Sequence, residues 1–70
     1  MNDYAFLKGY NQVQRMHLVL VKKEIMEALG LRARTNWYLR LYGKVVPKVS
    51  EAKTIEEIFK KYGIIEVWGR

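Results

Sequence analysis

The chain contains no cysteine among its 70 residues, and this limits how the fold can be held together. Disulfide bonds and zinc sites with thiolate ligands are excluded. The single histidine, His17, excludes histidine-rich metal clusters as well. A domain of about 60 residues buries only about 60% of the surface that its unfolded chain exposes, so a chain of this size is marginally stable. The fold must therefore depend on well-packed local elements, on oligomerisation, or on both.

Length and composition predict one globular domain that covers residues 1–70. We divide it into an N-terminal segment (1–17), a helical core (18–63) and an apolar tail (64–70). The longest apolar run, residues 18–21, is far shorter than the roughly 20 residues that span a bilayer. No signal peptide is expected, and we expect a cytoplasmic protein that does not enter membranes.

Residues 18–29 show the clearest helix pattern in the first half of the chain. Apolar residues recur there at spacings of three and four, which is typical of one buried helix face. Gly30 fits the left-handed position that ends a helix, and Leu31 fits the apolar position after it. The first four residues, Leu-Val-Leu-Val, could instead begin a strand.

Two further helices are predicted in the second half, so the fold class is all-α. Residues 35–42 form a helix with Thr35 as N-cap and Gly43 as its end. The next helix starts at Ser50 as N-cap and stops before Gly63; Thr54 is an alternative start because it forms a capping box with Glu57.

The two ends of the chain leave alternatives open. A short first helix near residues 3–8 is one option, and an extended piece over residues 10–15 is another. The tail residues 64–68, Ile-Ile-Glu-Val-Trp, favour extended structure. This tail is expected to be ordered. It either packs on the N-terminal aromatic residues within one chain or pairs across the two-fold axis of a homodimer.

Positive charge is concentrated in one stretch of the chain. Residues 28–50 contain five basic residues and no acidic residue, whereas the rest of the chain has eight basic and seven acidic residues. The net charge of +6 therefore arises almost entirely from this window. Such a distribution predicts a face that binds phosphate groups.

Several short motifs follow one another in an order that is typical of one family. Leu-Gly-Leu at residues 29–31 is followed by a basic segment that ends in Gly43-Lys44, then by Pro47, then by an amphipathic helix ending in Tyr-Gly-Ile at residues 62–64. This order resembles the Cro and lambda-repressor-like helix-turn-helix family, over roughly residues 18–64. The resemblance is greatest to short single-module proteins of bacterial or phage type. The stretch from Gly30 to Gly43 is one residue longer than expected for the family.

The resemblance implies a small helix-turn-helix bundle of about four helices, with room for short extended segments at both ends. Its recognition helix, about residues 35–42, would enter the major groove. The candidate base contacts are in or just before this helix: Arg32, Arg34, Thr35, Asn36 and Arg40. Arginine can read guanine and asparagine can read adenine, each through two hydrogen bonds. Lys44 and Lys48 flank the following loop and are the candidate phosphate contacts.

Sequence-specific binding of duplex DNA by a small transcriptional regulator is therefore the expected function. The alternative is a protein-interaction module of the same shape that binds a partner through its apolar tail. No enzyme is expected, since the sequence shows no nucleophile with a base, no paired-carboxylate cleft and no phosphate-binding glycine loop. No cofactor, metal or small-molecule ligand is expected either.

Overall fold

A computed structural model describes residues 4–70. The part of the chain that it describes is all-α, as predicted, and contains four α-helices. In chain order they are α1 (Leu7–Gln12), α2 (Leu18–Leu29), α3 (Arg34–Leu41) and α4 (Val49–Lys61), with one turn of 3-10 helix at Arg15–His17 before α2. Within these residues no helix combines the length and apolar character that crossing a membrane requires.

The core lies where the four helices and the tail meet. Phe6 is at its centre: its ring centroid lies 5.5 Å from that of Trp37 and 6.1 Å from that of Phe59. All three side chains are fully buried or nearly so. The other buried members of the cluster are Val13, Val21, Ile25, Leu41, Ile55, Ile58, Ile64 and Val67. All four helices and the tail thus contribute apolar side chains to one core, which is how a chain without disulfides can be stable.

Helix α2 confirms the prediction for residues 18–29, and the strand alternative for its first residues is wrong. The helix ends at Gly30, whose φ of 70° is left-handed. The N–H of Leu31 donates to the carbonyl of Met26 at 2.8 Å, and that of Gly30 donates to Glu27 at 3.3 Å. These two bonds are those of the glycine-based helix end predicted from the sequence.

The predicted N-caps of α3 and α4, Thr35 and Ser50, are both two residues too late. Helix α3 begins at Arg34 after Ala33, so Thr35 lies inside the first turn and is not the N-cap. Helix α4 begins at Val49 after Lys48, so Ser50 is inside the helix. The cap of α4 is a side chain inside the helix and not one before it. The Glu51 carboxylate, in the first turn, accepts the backbone N–H of Lys48 at 2.9 Å.

The N-terminal segment is more helical than expected. Helix α1 covers Leu7–Gln12, whereas the expected helix near residues 3–8 begins outside the described residues. The extended alternative over residues 10–15 is wrong except at Val13 and Gln14, whose ψ angles of 135° and 142° are extended.

Helix α1 continues through Gly9 because the tail packs directly on its backbone. A Cβ at Gly9 would lie 3.0 Å from the Cα of Val67, so a side chain would not fit without a shift. The Gly9 N–H donates to the Val67 carbonyl at 3.0 Å. Glycine is therefore retained in the helix for contact with the tail, despite its low helix propensity.

The tail folds back on the N-terminal segment within the same chain, and we call this arrangement the terminal clasp. Phe6 and Gly69 form an isolated parallel bridge. The N–H of Lys8 donates to the Gly69 carbonyl at 2.9 Å, and the N–H of Gly69 donates to the Ala5 carbonyl at 2.7 Å. The Trp68 ring packs edge-on against Phe6 and Tyr4. The tail is ordered, as predicted, and takes the intrachain alternative.

Candidate nucleic-acid interface

Helices α2 and α3 follow each other with a short turn between them. Four residues, 30–33, separate the last residue of α2 from the first residue of α3. Gly30 reverses the chain, and Ala33 is extended with φ −102° and ψ 144°. A turn of three or four residues that contains glycine is typical of the helix-turn-helix motif.

The orientation of α3 is fixed by two anchors. Trp37 and Leu41, one turn apart, are 1% and 3% exposed. The Trp37 ring is held between Phe6 and Tyr10, whose centroids lie 5.5 and 5.4 Å away. Because one face of α3 is held in the core, the residues on its other side must face solvent.

The beginning of α3 is exposed, positively charged and without an acidic residue. Arg32, Arg34, Thr35 and Asn36, which the sequence predicts as base contacts, are all exposed. Ala33 supplies no side-chain oxygen to the free N–H groups of the first turn, and that turn has no carboxylate. The positive end of the helix dipole is therefore added to the charge of two arginines.

Arg40 is placed differently from the prediction. The sequence predicts it as a base contact, but its side chain is only 16% exposed and is paired with Glu51. Its Nη1 lies 3.0 Å from Glu51 Oε1, and its Nη2 lies 3.5 Å from Oε2. The guanidinium thus joins α3 to α4. The backbone N–H of Lys48 and this guanidinium together lower the pKa of the Glu51 carboxyl below its ordinary value.

Lys44 and Lys48 lie at the two ends of the loop between α3 and α4, and both are exposed. Lys44 directly follows the glycine that ends α3, and its N–H donates to the Leu39 carbonyl at 2.8 Å. Lys48 directly precedes α4. Both lysines are therefore attached to backbone that hydrogen bonds hold in place, Lys44 at the end of α3 and Lys48 at the start of α4.

Two cations that the sequence analysis did not single out also lie beside α3. The Nζ of Lys22, on α2, is 5.7 Å from the Trp37 ring centroid and 6.0 Å from that of Tyr38. Its position on α2 next to the buried Val21 could have suggested that it borders α3. Arg70 donates from Nη2 to the Tyr42 carbonyl at 3.3 Å. No local signal could have placed Arg70, because its position depends on the terminal clasp.

A second polar cluster joins α2 to the end of α4. The Glu24 carboxylate accepts hydrogen bonds from Lys61 and from the Tyr62 hydroxyl, and these lower its pKa. The same carboxylate raises the pKa of Tyr62. The His17 ring lies 5.2 Å from that of Tyr62. Within residues 4–70, no three His, Asp or Glu side chains are grouped so that they could hold a metal ion.

Comparisons with protein-family models, with curated proteins and with solved structures found no match to this chain. The resemblance to the Cro and lambda-repressor-like family therefore stays a prediction, and the functional argument depends on the geometry of α2, α3 and the loop that follows.

Proposed function

We propose that this protein binds duplex DNA sequence-specifically, with α3 as the recognition helix in the major groove, and acts as a small transcriptional regulator. The observation that carries the proposal is the exposed, acid-free start of α3, fixed by the burial of Trp37 and Leu41 on its other face. In helix-turn-helix proteins the first residues of the second helix contact the base edges. Arg34, Thr35 and Asn36 occupy these positions here.

The structure changes the role that we assign to Arg40. Because its guanidinium is paired with Glu51, it orients α3 against α4 and is not counted among the base contacts. The proposed base contacts are the four exposed residues Arg32, Arg34, Thr35 and Asn36. Lys44 and Lys48 remain the proposed phosphate contacts.

Binding through a protein partner at the tail has less support. Ile64 and Val67 are 5% and 2% exposed, so most of the apolar surface of the tail is already used in the core. Trp68 packs on aromatic rings, and its Nε1 donates to Glu56 Oε2 at 2.6 Å. Ile65 is the exception at 86% exposed. One exposed side chain is normal for a protein surface and does not by itself indicate an interface.

The salt dependence of DNA binding tests the proposal. With four basic side chains contacting phosphate or bases, the logarithm of affinity should fall with the logarithm of salt concentration with a slope of about −4. Fluorescence anisotropy on a labelled random-sequence duplex measures this slope. Binding-site selection from random duplexes then gives the preferred site.

A pair of charge-matched variants makes the test specific. Lys44→Gln with Lys48→Gln should reduce the steepness of the slope by about 2. Lys53→Gln with Lys60→Gln removes the same charge from a groove on α4 that also contains Glu56 and Glu57, and it should leave the slope unchanged. Absence of binding at low salt, or equal effects of the two variants, would contradict the proposal.

A further inference from the structure

The side of α3 next to α2 carries two exposed tyrosines that the base and phosphate contacts above do not use. Tyr38 and Tyr42 are one turn apart and are 46% and 41% exposed. Their rings are stacked, with centroids 6.3 Å apart and planes at 24°. Together with Lys22, whose Nζ lies over Tyr38, we call these residues the tyrosine ridge.

The two hydroxyls of the ridge are available for a ligand. Other tyrosine hydroxyls are engaged within the protein, that of Tyr62 by Glu24 and that of Tyr10 by the Leu18 carbonyl at 3.5 Å. Neither Tyr38 nor Tyr42 donates from its hydroxyl to any residue in the described range 4–70. Because the rings are stacked on each other, the two hydroxyls are held in place at low entropic cost.

The position of the ridge on α3 indicates which part of DNA it would meet. Arg34, Tyr38 and Tyr42 are spaced four residues apart and so follow one another along one side of the helix. When the start of a recognition helix reaches base edges, the later turns lie closer to the groove wall, where the phosphates are. Tyrosine hydroxyls and lysine ammonium groups are common donors to phosphate oxygens.

Stacking of the tyrosines on bases is less consistent with the geometry. The Tyr38 ring is already contacted by the Lys22 ammonium and by the Tyr42 ring. In duplex DNA the base faces are covered by their neighbours, so an aromatic ring has no base face to stack on unless the duplex is opened.

We infer that the tyrosine ridge binds phosphates of one DNA strand, with Tyr38 and Tyr42 donating hydrogen bonds from their hydroxyls and Lys22 contributing charge. This inference rests on the proposed function. It adds the hydroxyls of Tyr38 and Tyr42 and the charge of Lys22 to the phosphate contacts proposed for Lys44 and Lys48.

The test uses the full chain and a labelled random-sequence duplex of about 30 base pairs, or three helical turns. The double variant Tyr38→Phe with Tyr42→Phe removes only the hydroxyls and keeps the stacked rings. It should bind about tenfold more weakly, with an unchanged salt slope, because a neutral donor displaces no counterion. Lys22→Gln should instead make the slope less steep by about 1. Tyr62→Phe, which removes a hydroxyl bonded inside the protein, should bind as the original chain does.

The outcomes separate this inference from the proposed function. If the original chain binds with a steep slope but the double phenylalanine variant binds equally well, the ridge does not contact phosphate and the inference is overturned, while DNA binding stands. The double variant Tyr38→Leu with Tyr42→Leu removes the rings as well. If this variant binds weakly while the phenylalanine variant binds normally, the rings contribute to binding and the hydroxyls do not. That result also overturns the inference. Absence of DNA binding by the original chain contradicts the proposed function itself.

Discussion

Glu51 carries out two tasks at the start of α4, and both depend on its negative charge. It accepts the backbone N–H of Lys48 and the guanidinium of Arg40. Glu51 is the first acidic residue after the basic window of residues 28–50. The sequence therefore shows where the acid-free stretch ends, but it does not show that Glu51 pairs with Arg40. Arg40 and Glu51 are eleven residues apart and lie on different helices, so only the tertiary structure brings them together.

The lowered pKa of Glu51 predicts a loss of stability in acid. A carboxyl whose pKa is lower in the folded state stabilises the fold fully above its unfolded pKa of about 4.5, and this contribution is lost as pH falls through the folded pKa. Urea unfolding between about pH 7 and pH 3 should show the free energy of unfolding falling in this acid range. Glu51→Gln should be less stable at neutral pH, and its curve should fall less steeply.

Glu24 has a lowered pKa of its own, so the Glu51 variant should keep part of the acid dependence. A Glu51→Gln curve that is parallel to that of the original chain at every pH would show that Glu51 does not contribute to it.

Single substitutions should separate side chains that read bases from those that position the protein. Lys44→Ala should weaken binding equally on the selected site and on random duplex. Arg34→Ala and Asn36→Ala should each cost about 1–3 kcal/mol, mainly on the selected site. Anisotropy titrations on both duplexes measure the two effects. Parallel losses on both duplexes for Arg34→Ala and Asn36→Ala would show that neither residue reads bases.

At the scale of the elements, the close approach of α3 to the N-terminal segment depends on Gly43. Its φ is 75°, and a Cβ there would lie 2.8 Å from the backbone nitrogen of Ala5. Nearby, the N–H of Phe6 donates to the Leu41 carbonyl at 3.1 Å. The end of α3 and the segment that precedes α1 are therefore in backbone contact.

Gly43→Ala and Gly63→Ala form a matched pair that isolates this contact. Gly63 has a similar φ of 78°, but a Cβ there would meet nothing within 4 Å. Gly63→Ala should cost only the left-handed backbone strain of about 1–2 kcal/mol. Gly43→Ala should cost this and about 1–3 kcal/mol more from overpacking. Urea unfolding measures both, and equal losses would mean that the contact with Ala5 relaxes at no cost.

A helix boundary is predicted correctly where the residues that determine it are neighbours in the sequence. The end of α2 is encoded locally by Gly30 and Leu31, and it is correct to the residue. The predicted start of α4 is wrong because a hydroxyl before the helix is the usual cap, whereas here the capping group is the carboxylate of Glu51, inside the helix, which accepts the N–H of Lys48. Helix α1 was uncertain because Gly9 weakens the local pattern, and the partner that explains this glycine, Val67, is almost at the other end of the chain.

At the scale of the whole molecule, the apolar tail should be necessary for stability. Deleting residues 64–70 removes the buried Ile64 and Val67 and leaves the N–H groups of Lys8 and Gly9 without their acceptors. The free energy of unfolding should fall by several kcal/mol, which is a large part of the 5–15 kcal/mol that typically stabilises a domain. Thermal and urea unfolding measure the loss.

The exposed Ile65 provides the control, because Ile65→Ala should change stability by no more than about 0.5 kcal/mol. The mass in solution, measured on the original chain and the deleted one, tests the homodimer. A dimeric original chain that becomes a monomer on deletion would place the tail between subunits and contradict the intrachain packing. Unchanged stability after deletion would show that the tail is dispensable.

The terminal clasp also bears on the order in which this chain can fold. The carbonyls that accept from the N–H groups of Lys8 and Gly9 belong to Gly69 and Val67, which are 61 and 58 residues further along the chain. Closing so large a loop costs chain entropy before any contact forms, whereas the hydrogen bonds inside α2 and α3 join residues only a few positions apart. We therefore expect the hydrogen bonds inside these helices to form early, and the contacts between α1 and the tail to form late and to limit the folding rate.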